Sequence, residues 1–107
     1  MLLRVTVARE DHCAVVGLVG ELDLLSQAVA VGAIDGAFNA GSRRVTLDLA
    51  GLTFIDTSGA SGLVQMQQKA DRIGIDLIVA NACAMAARVL QISGFREVMR
   101  APMVLAC

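Results

Sequence analysis

The sequence predicts a single α/β domain, with helices packed on a central mixed, mostly parallel β-sheet in the order β-β-α-β-α-β-α-β. First, the 107-residue chain is 56% hydrophobic, which is enough for one core and too little for two domains. Second, short segments with the alternation of strands are interspersed with longer segments whose apolar residues recur at helical intervals. Third, helical connections of this length make parallel strand pairs. We therefore assign one domain to residues 1–107, with a core over about 2–100 and a tail over 101–107.

The first 41 residues predict a hairpin followed by a helix. Apolar and polar residues alternate over residues 3–7, which indicates a strand. Cys13–Val19 is more uniformly apolar, so we expect a second strand that is buried on both faces. Polar residues 9–12 separate the two, and so short a connection predicts antiparallel pairing. A helix is predicted over roughly Leu25–Phe38, ending near Gly41.

The rest of the chain predicts alternating strands and helices. A strand starts at Val45 and, after a break at Ala50-Gly51, continues to Ile55, where a helix begins near Ser58. This helix is expected to end near Ile73-Gly74. The elements expected after it are a strand over Asp76–Ala80, a helix over Ala84–Ile92 with Gly94 as its C-cap, and a last strand over Phe95–Arg100.

Composition and charge exclude several classes of function. The net charge is −1, and the chain has no Trp or Tyr, so it offers neither a basic surface nor a stacking platform for nucleic acid. No apolar run approaches the roughly 18 residues of a membrane span, and the amino terminus lacks the apolar segment of a signal peptide. Cys13, Cys83 and Cys107 form no CxxC pair. We expect a reduced, cytoplasmic protein with no membrane partner.

The residues needed for common catalytic sites are missing from the sequence. The one histidine, His12, lies in a charged turn, where it does not suit a Ser-His-acid triad. The sequence contains no phosphate-binding or dinucleotide-binding glycine motif and no cluster of metal ligands. We therefore predict that the chain is not an enzyme and holds no metal or cofactor of its own.

The segment Asp56-Thr57-Ser58-Gly59 lies where a predicted strand ends and a helix begins. One interpretation is a helix cap, in which Asp56 or Thr57 accepts a backbone hydrogen bond that contributes about 1 kcal/mol. The other is that Ser58 is a phosphoacceptor on the first helical turn. A phosphate would add about −1.5 to −2 charges, which a helix N-terminus tolerates. The residues alone leave both interpretations open.

The chain resembles the STAS domains of bacterial anti-sigma factor antagonists. The resemblance rests on GELD (Gly20–Asp23), LDLAGLTFIDTSG (Leu47–Gly59) and ISGF (Ile92–Phe95), which have the order and separation found in that family. It implies a STAS-like fold and a partner switch. The unphosphorylated antagonist binds an anti-sigma factor, which is also a serine kinase of the histidine-kinase-like ATPase type, and a sigma factor is freed.

In the switch that the resemblance implies, the kinase phosphorylates Ser58, the complex separates, and a phosphoserine phosphatase resets the antagonist. ATP and Mg²⁺ belong to the kinase. Thr57 and Ser61 are alternative acceptors, because both hydroxyls lie near the start of the predicted helix. The residues that the resemblance assigns to partner binding are Gly20, Glu21, Leu22, Asp23, Asp56, Thr57, Ser58 and Gly59.

Glu21 and Asp23 have two interpretations that are compatible with each other. In a parallel sheet their segment can lie beside Asp56–Ser58, which would give one acidic edge for a partner. They also suit the start of the first helix, whose dipole favours negative charge. The alternative function is a STAS module that binds a small ligand or acts as a scaffold without phosphorylation. The chain ends soon after Pro102, where many members continue into a helix, so uncovered surface would suit a partner or a homodimer.

Overall fold

The computed structural model describes residues 2–96, which form five strands and three helices. The elements are β1 (Arg4–Glu10), β2 (Cys13–Leu22), α1 (Gln27–Asn39), β3 (Arg44–Asp48), β4 (Leu52–Ile55), α2 (Thr57–Ile73), β5 (Asp76–Ala80) and α3 (Ala84–Ser93). The predicted α/β class, with a mixed and mostly parallel sheet, is confirmed. No helix within residues 2–96 is both long and apolar enough to cross a membrane.

The sheet is built around β2, the longest strand. β1 runs antiparallel to it, with Arg4 opposite Val19 and Glu10 opposite Cys13, as the short connection predicted. β3 lies parallel to β2 on its other side, and β5 lies parallel to β3, so the strand order is β1-β2-β3-β5. β4 lies off this path and pairs only with the end of β2 among the described strands.

The segment predicted as one interrupted strand from Val45 to Ile55 is two separate strands. β3 pairs with residues 13–17 of β2, whereas β4 pairs with Gly20–Leu22, and the register of that pairing shifts between Gly20 and Glu21. A tight turn separates them, in which the Leu52 N–H donates to the Leu49 carbonyl at 3.1 Å. The sequence break at Ala50-Gly51 is therefore the turn between two strands. After this turn the chain pairs with a later part of β2, residues 20–22 instead of 13–17.

One hydrophobic core lies between the helices and one face of the sheet. Val16, Leu47 and Val79 are paired neighbours on β2, β3 and β5, so they share a face, and all three are fully buried. The helical residues of the same core cluster are Ala30, Ile34, Ala37, Phe38, Ala60, Leu63, Met66, Ala70, Ala86, Ala87 and Leu90. All three helices therefore contribute to one core with this face of the sheet.

The opposite face of β2 is less buried than predicted. Val15, Gly17 and Val19 are partly exposed, while their neighbours in the strand are buried. The expectation that β2 is buried on both faces is therefore wrong. Its uniformly apolar sequence reflects its central position, since β1 and β3 flank it on both sides.

The helix ends follow local sequence features. α2 is followed by Gly74 and α3 by Gly94, and both glycines have the left-handed backbone (φ 78° and 101°) that ends helices. α1 starts at Gln27, two residues later than predicted, because the residues before it form a separate turn. Phe95 and Arg96 belong to no strand, and the remainder of the predicted last strand, 97–100, and the tail, 101–107, lie outside the described residues.

Candidate functional site

Asp56 is the N-cap of α2. Its backbone is extended (φ −114°, ψ 178°), and its Oδ1 accepts a hydrogen bond from the Gly59 N–H at 2.8 Å. The Ala60 N–H donates to the Asp56 carbonyl at 2.9 Å, which is the first bond of the helix. Of the two capping candidates, Asp56 and Thr57, the structure therefore uses Asp56. The cap fixes the first turn of α2, on which Ser58 lies.

Three hydroxyl side chains follow the cap, at Thr57, Ser58 and Ser61. Thr57 and Ser61 are exposed, and Ser58 is partly exposed. None of the three hydroxyls has a hydrogen-bonding partner among residues 2–96. All three are therefore chemically available, and accessibility alone does not select one of them as a phosphoacceptor.

The two segments that the sequence resemblance singled out lie together. The Asp56 N–H donates to the Leu22 carbonyl at 3.3 Å, which joins the end of β2 to the start of α2. Gly59 packs against the same residue, because a Cβ built on it would lie 2.3 Å from the Leu22 carbonyl oxygen. Leu22 and Ile55 are also paired neighbours in the sheet. Parallel pairing of β2 and β4 therefore brings Gly20–Asp23 beside Asp56–Gly59.

Gly20 has a structural reason to be glycine. Its φ is +112°, and a Cβ there would lie 2.4 Å from the carbonyl oxygen of Leu2. Its N–H donates to the Gly51 carbonyl, and its own carbonyl accepts from the Thr53 hydroxyl, both at 3.0 Å. These bonds tie the end of β2 to Gly51, in the turn before β4, and to Thr53 of β4, at the point where the register shifts between Gly20 and Glu21.

The Asp23 side chain organises the turn between β2 and α1. Its Oδ1 accepts from the N–H groups of Leu25 (3.1 Å) and Ser26 (3.0 Å). The Ser26 hydroxyl lies 2.8 Å from the Glu21 carbonyl oxygen and 3.0 Å from Asp23 Oδ1, and its oxygen accepts from the Asp23 N–H. These hydrogen bonds, chiefly those from Ser26, lower the pKa of Asp23 below its ordinary 3.8.

Ser26 is a functional residue of this turn that was not predicted from the sequence. Asp and Ser three residues apart, before a helical segment, are both capping residues, and this spacing would have indicated a turn ahead of α1. Glu21 and Asp23 are partly exposed, as is Asp56. Asp23 binds backbone N–H groups just ahead of α1, so it stabilises this turn as well as contributing negative charge to the edge.

The comparisons with known proteins identify the family. The family model described as "STAS domain" matches residues 4–105, which is nearly the whole chain. The chain therefore belongs to the STAS domain family. No curated protein of similar sequence was found.

Three solved structures illustrate the range of proteins that share this fold. Phosphorylated SpoIIAA, a Bacillus cell fate determinant, is 20% identical, with 94% of this chain and 92% of that chain covered and a TM-score of 0.74. An anti-sigma factor antagonist from Mycobacterium paratuberculosis is 19% identical (90% and 85% covered, TM-score 0.77). The murine anion transporter Slc26a9 is 16% identical, with 90% of this chain but 17% of the transporter covered and a TM-score of 0.74. At these identities the likeness establishes the fold.

Proposed function

We propose that this protein is an anti-sigma factor antagonist that is switched off by phosphorylation at Ser58. In its unphosphorylated form it binds an anti-sigma factor, which is also a serine kinase of the histidine-kinase-like ATPase type, and a sigma factor is released. The supporting observation is the position of Ser58 directly before Gly59, which packs on Leu22 and so holds this turn of α2 beside the Gly20–Asp23 segment. The Ser58 hydroxyl is also unpartnered among residues 2–96 and partly exposed. The fold is shared with SpoIIAA, which has been solved in phosphorylated and unphosphorylated forms.

The domain can accept a phosphate at Ser58 without unfolding. The N-terminus of α2 has a positive partial charge, which favours an anion on the first turn. The Asp56 carboxylate already accepts the hydrogen bond from the Gly59 N–H. The helix would therefore stay capped whether or not Ser58 carries a phosphate. The expected change is therefore one of surface charge, and the fold of the antagonist stays the same.

A partner that binds the unphosphorylated surface would be repelled after phosphorylation. The surrounding segments contain Glu21, Asp23 and Asp56, and neither 20–31 nor 52–62 contains a lysine, arginine or histidine. The added charge of about −1.5 to −2 would therefore lie among acidic side chains with no cation nearby in sequence. Moving a partner from mostly bound to mostly free requires roughly 5 kcal/mol, and burying an uncompensated dianion plausibly costs that much.

The other components of the switch belong to other proteins. The kinase would bring ATP and Mg²⁺, and a phosphoserine phosphatase would restore the hydroxyl of Ser58. The antagonist contributes a hydroxyl, a fixed helical turn and an acidic surface. This division requires no catalytic residue in the chain.

The proposal is tested with each purified ATPase of this kinase type that is encoded in the same genome. Complex formation is measured before and after addition of ATP and Mg²⁺, and the phosphorylated residue is identified by mass spectrometry. We expect wild type to bind and then to dissociate as Ser58 is phosphorylated. Ser58→Ala should bind and stay bound, and Ser58→Asp should bind weakly, since Asp supplies part of the charge of a phosphate.

Ser61→Ala is the matched control, because Ser61 is an exposed hydroxyl three residues further along the same helix. It should behave as wild type. Phosphate on Thr57 or Ser61 would make the assignment to Ser58 wrong. If no ATPase binds, and Ser58 carries no phosphate in protein isolated from its own cells, the switch is wrong, and a ligand-binding or scaffolding STAS module becomes the better hypothesis.

A further inference from the structure

Two neighbouring leucines project from the turn beside Ser58. Leu24 is 63% exposed and Leu25 is 89% exposed, and both are among the large apolar side chains that residues 2–96 leave in solvent. Single exposed apolar residues are ordinary on protein surfaces, but an adjacent pair is a concentrated apolar feature. Val29, four residues after Leu25 and 53% exposed, continues it onto α1.

The backbone that presents these leucines is held in place. Asp23 accepts a hydrogen bond from the N–H of Leu25 itself, and the Ser26 hydroxyl closes the turn onto the Glu21 carbonyl. The Gln27 N–H donates to the Asp23 carbonyl at 2.9 Å, which connects the turn to α1. A surface that is ordered before binding loses less conformational entropy on association, so it is suited to recognition.

The turn adjoins the candidate phosphorylation site. Leu22, directly before it, contacts Asp56 and Gly59 at the start of α2. Gln27, directly after it, lies against the second turn of α2, since a Cβ on Gly62 would lie 2.7 Å from the Gln27 Oε1. A partner that covers Ser58 would therefore also reach Leu24 and Leu25.

The charge around the leucines indicates the kind of partner. Asp23 directly precedes the leucines and binds the Leu25 N–H, Glu21 lies two residues before it, and Asp56 is hydrogen-bonded to Leu22. No basic residue occurs in 20–31 or 52–62. A second copy of this chain that used the same face would bring like charges together, which is unfavourable. A complementary surface has an apolar pocket with arginine or lysine at its rim.

We propose that Leu24 and Leu25 are the apolar anchors of the antagonist, and that they insert into a basic-rimmed apolar pocket of the ATPase partner. This inference rests on the proposed function and adds the chemistry by which that partner is recognised. Ser58 then sets whether the surface binds, whereas the two leucines contribute apolar affinity. Burying leucine side chains that are otherwise exposed removes apolar surface from water, which favours association.

The test compares the double variant Leu24→Ser/Leu25→Ser with the control Ile73→Ser. Ile73 is also exposed (51%) but lies at the other end of α2, about 22 Å from Ser58 along the helix. The dissociation constant is measured for the purified ATPase that wild type binds. We expect the double variant to bind at least about tenfold more weakly, a loss of about 1.4 kcal/mol, and the control to stay within about twofold. Leu24→Met/Leu25→Met should retain binding, and thermal melting should show that every variant is folded.

The outcomes separate this inference from the proposed function. If wild type binds and is released on phosphorylation, but the double serine variant binds within twofold of it, the anchors are wrong and the switch stands. If wild type binds no ATPase, the proposed function is wrong, and so is the proposal that Leu24 and Leu25 anchor it. If wild type alone is a dimer and the double variant a monomer, the leucines contact a second copy, which also overturns the inference.

Discussion

Gly59 and Leu22 pack backbone against backbone at the junction between α2 and β2. A Cβ on residue 59 would lie 2.3 Å from the Leu22 carbonyl oxygen and 2.6 Å from its carbon. These atoms belong to the main chain, so they cannot move aside as a flexible side chain would. Glycine is therefore required here for packing, in addition to its place in the motif.

Gly59→Ala should destabilise the domain by about 1–3 kcal/mol, because the methyl group forces β2 and α2 apart. Gly32→Ala is the control, since it makes the same change in α1 at a position with no atom within 4 Å of the new Cβ. That substitution should stabilise the domain by about 1 kcal/mol through helix propensity. Urea unfolding of both variants measures the difference. Equal effects of the two substitutions would contradict the packing argument.

Asp56→Ala should cost about 1 kcal/mol, because it removes the acceptor of the Gly59 N–H. Asp56→Asn keeps an oxygen in the same place and should cost much less. Thr57→Ala should have little effect, since Asp56 is the cap. A loss with Thr57→Ala as large as that with Asp56→Ala would indicate that the cap is shared. The free energy of unfolding at neutral pH distinguishes these cases.

Asp23 should make the stability of the domain depend on pH in acid. Its pKa is lower in the folded state than its ordinary 3.8, chiefly because the Ser26 N–H donates to the carboxylate. The contribution is therefore fully present above pH 3.8 and is lost as the pH falls through the lowered pKa. The difference in unfolding free energy between wild type and Asp23→Asn should be constant above about pH 5 and should shrink in more acidic solution. A difference that grows on acidification would mean that folding raises the pKa of Asp23 instead of lowering it.

Gln67 should matter more than its exposed neighbour Asp71. The buried Gln67 amide accepts from the Arg96 N–H at 2.9 Å, and its Nε2 lies 3.3 Å from the Arg96 carbonyl oxygen. Gln67→Leu should destabilise the domain by about 1–3 kcal/mol, because the backbone N–H and carbonyl of Arg96 both lose their hydrogen bond to the Gln67 amide. Asp71 binds the Arg96 guanidinium with both oxygens at 2.7 Å, but the pair is exposed. Asp71→Ala should therefore cost under about 1 kcal/mol. Thermal unfolding ranks the two.

Features that depend on local chemistry were predictable from the sequence. The hairpin follows from a short polar connection, and the ends of α2 and α3 follow from Gly74 and Gly94. The strand-to-helix junction at Asp56 was also found, because a change from strand to helical spacing is visible without any tertiary information.

Features that depend on distant contacts were not predictable to the same degree. The alternation of Val45, Leu47 and Leu49 indicates a strand, but its partner is not encoded locally, so the offset of β4 along β2 was missed. The start of α1 was placed too early, because the Asp23–Ser26 turn depends on side-chain hydrogen bonds. The exposure of Leu24 and Leu25 is likewise visible only once that turn is formed.

Within the described part of the chain β4 pairs with a single strand, and this affects how readily its hydrogen bonds to β2 break in the folded protein. β3 is hydrogen-bonded on both sides, by β2 and β5, whereas β4 has four residues and only β2 as its strand partner within residues 2–96. Local opening draws on the least connected part of a structure. Amide protons of β4 should therefore exchange with deuterium sooner than those of Val45 and Leu47. The four residues of β4 are therefore expected to open before the rest of the sheet, whereas the cap at Asp56 and the packing of Gly59 on Leu22 keep the start of α2 in place.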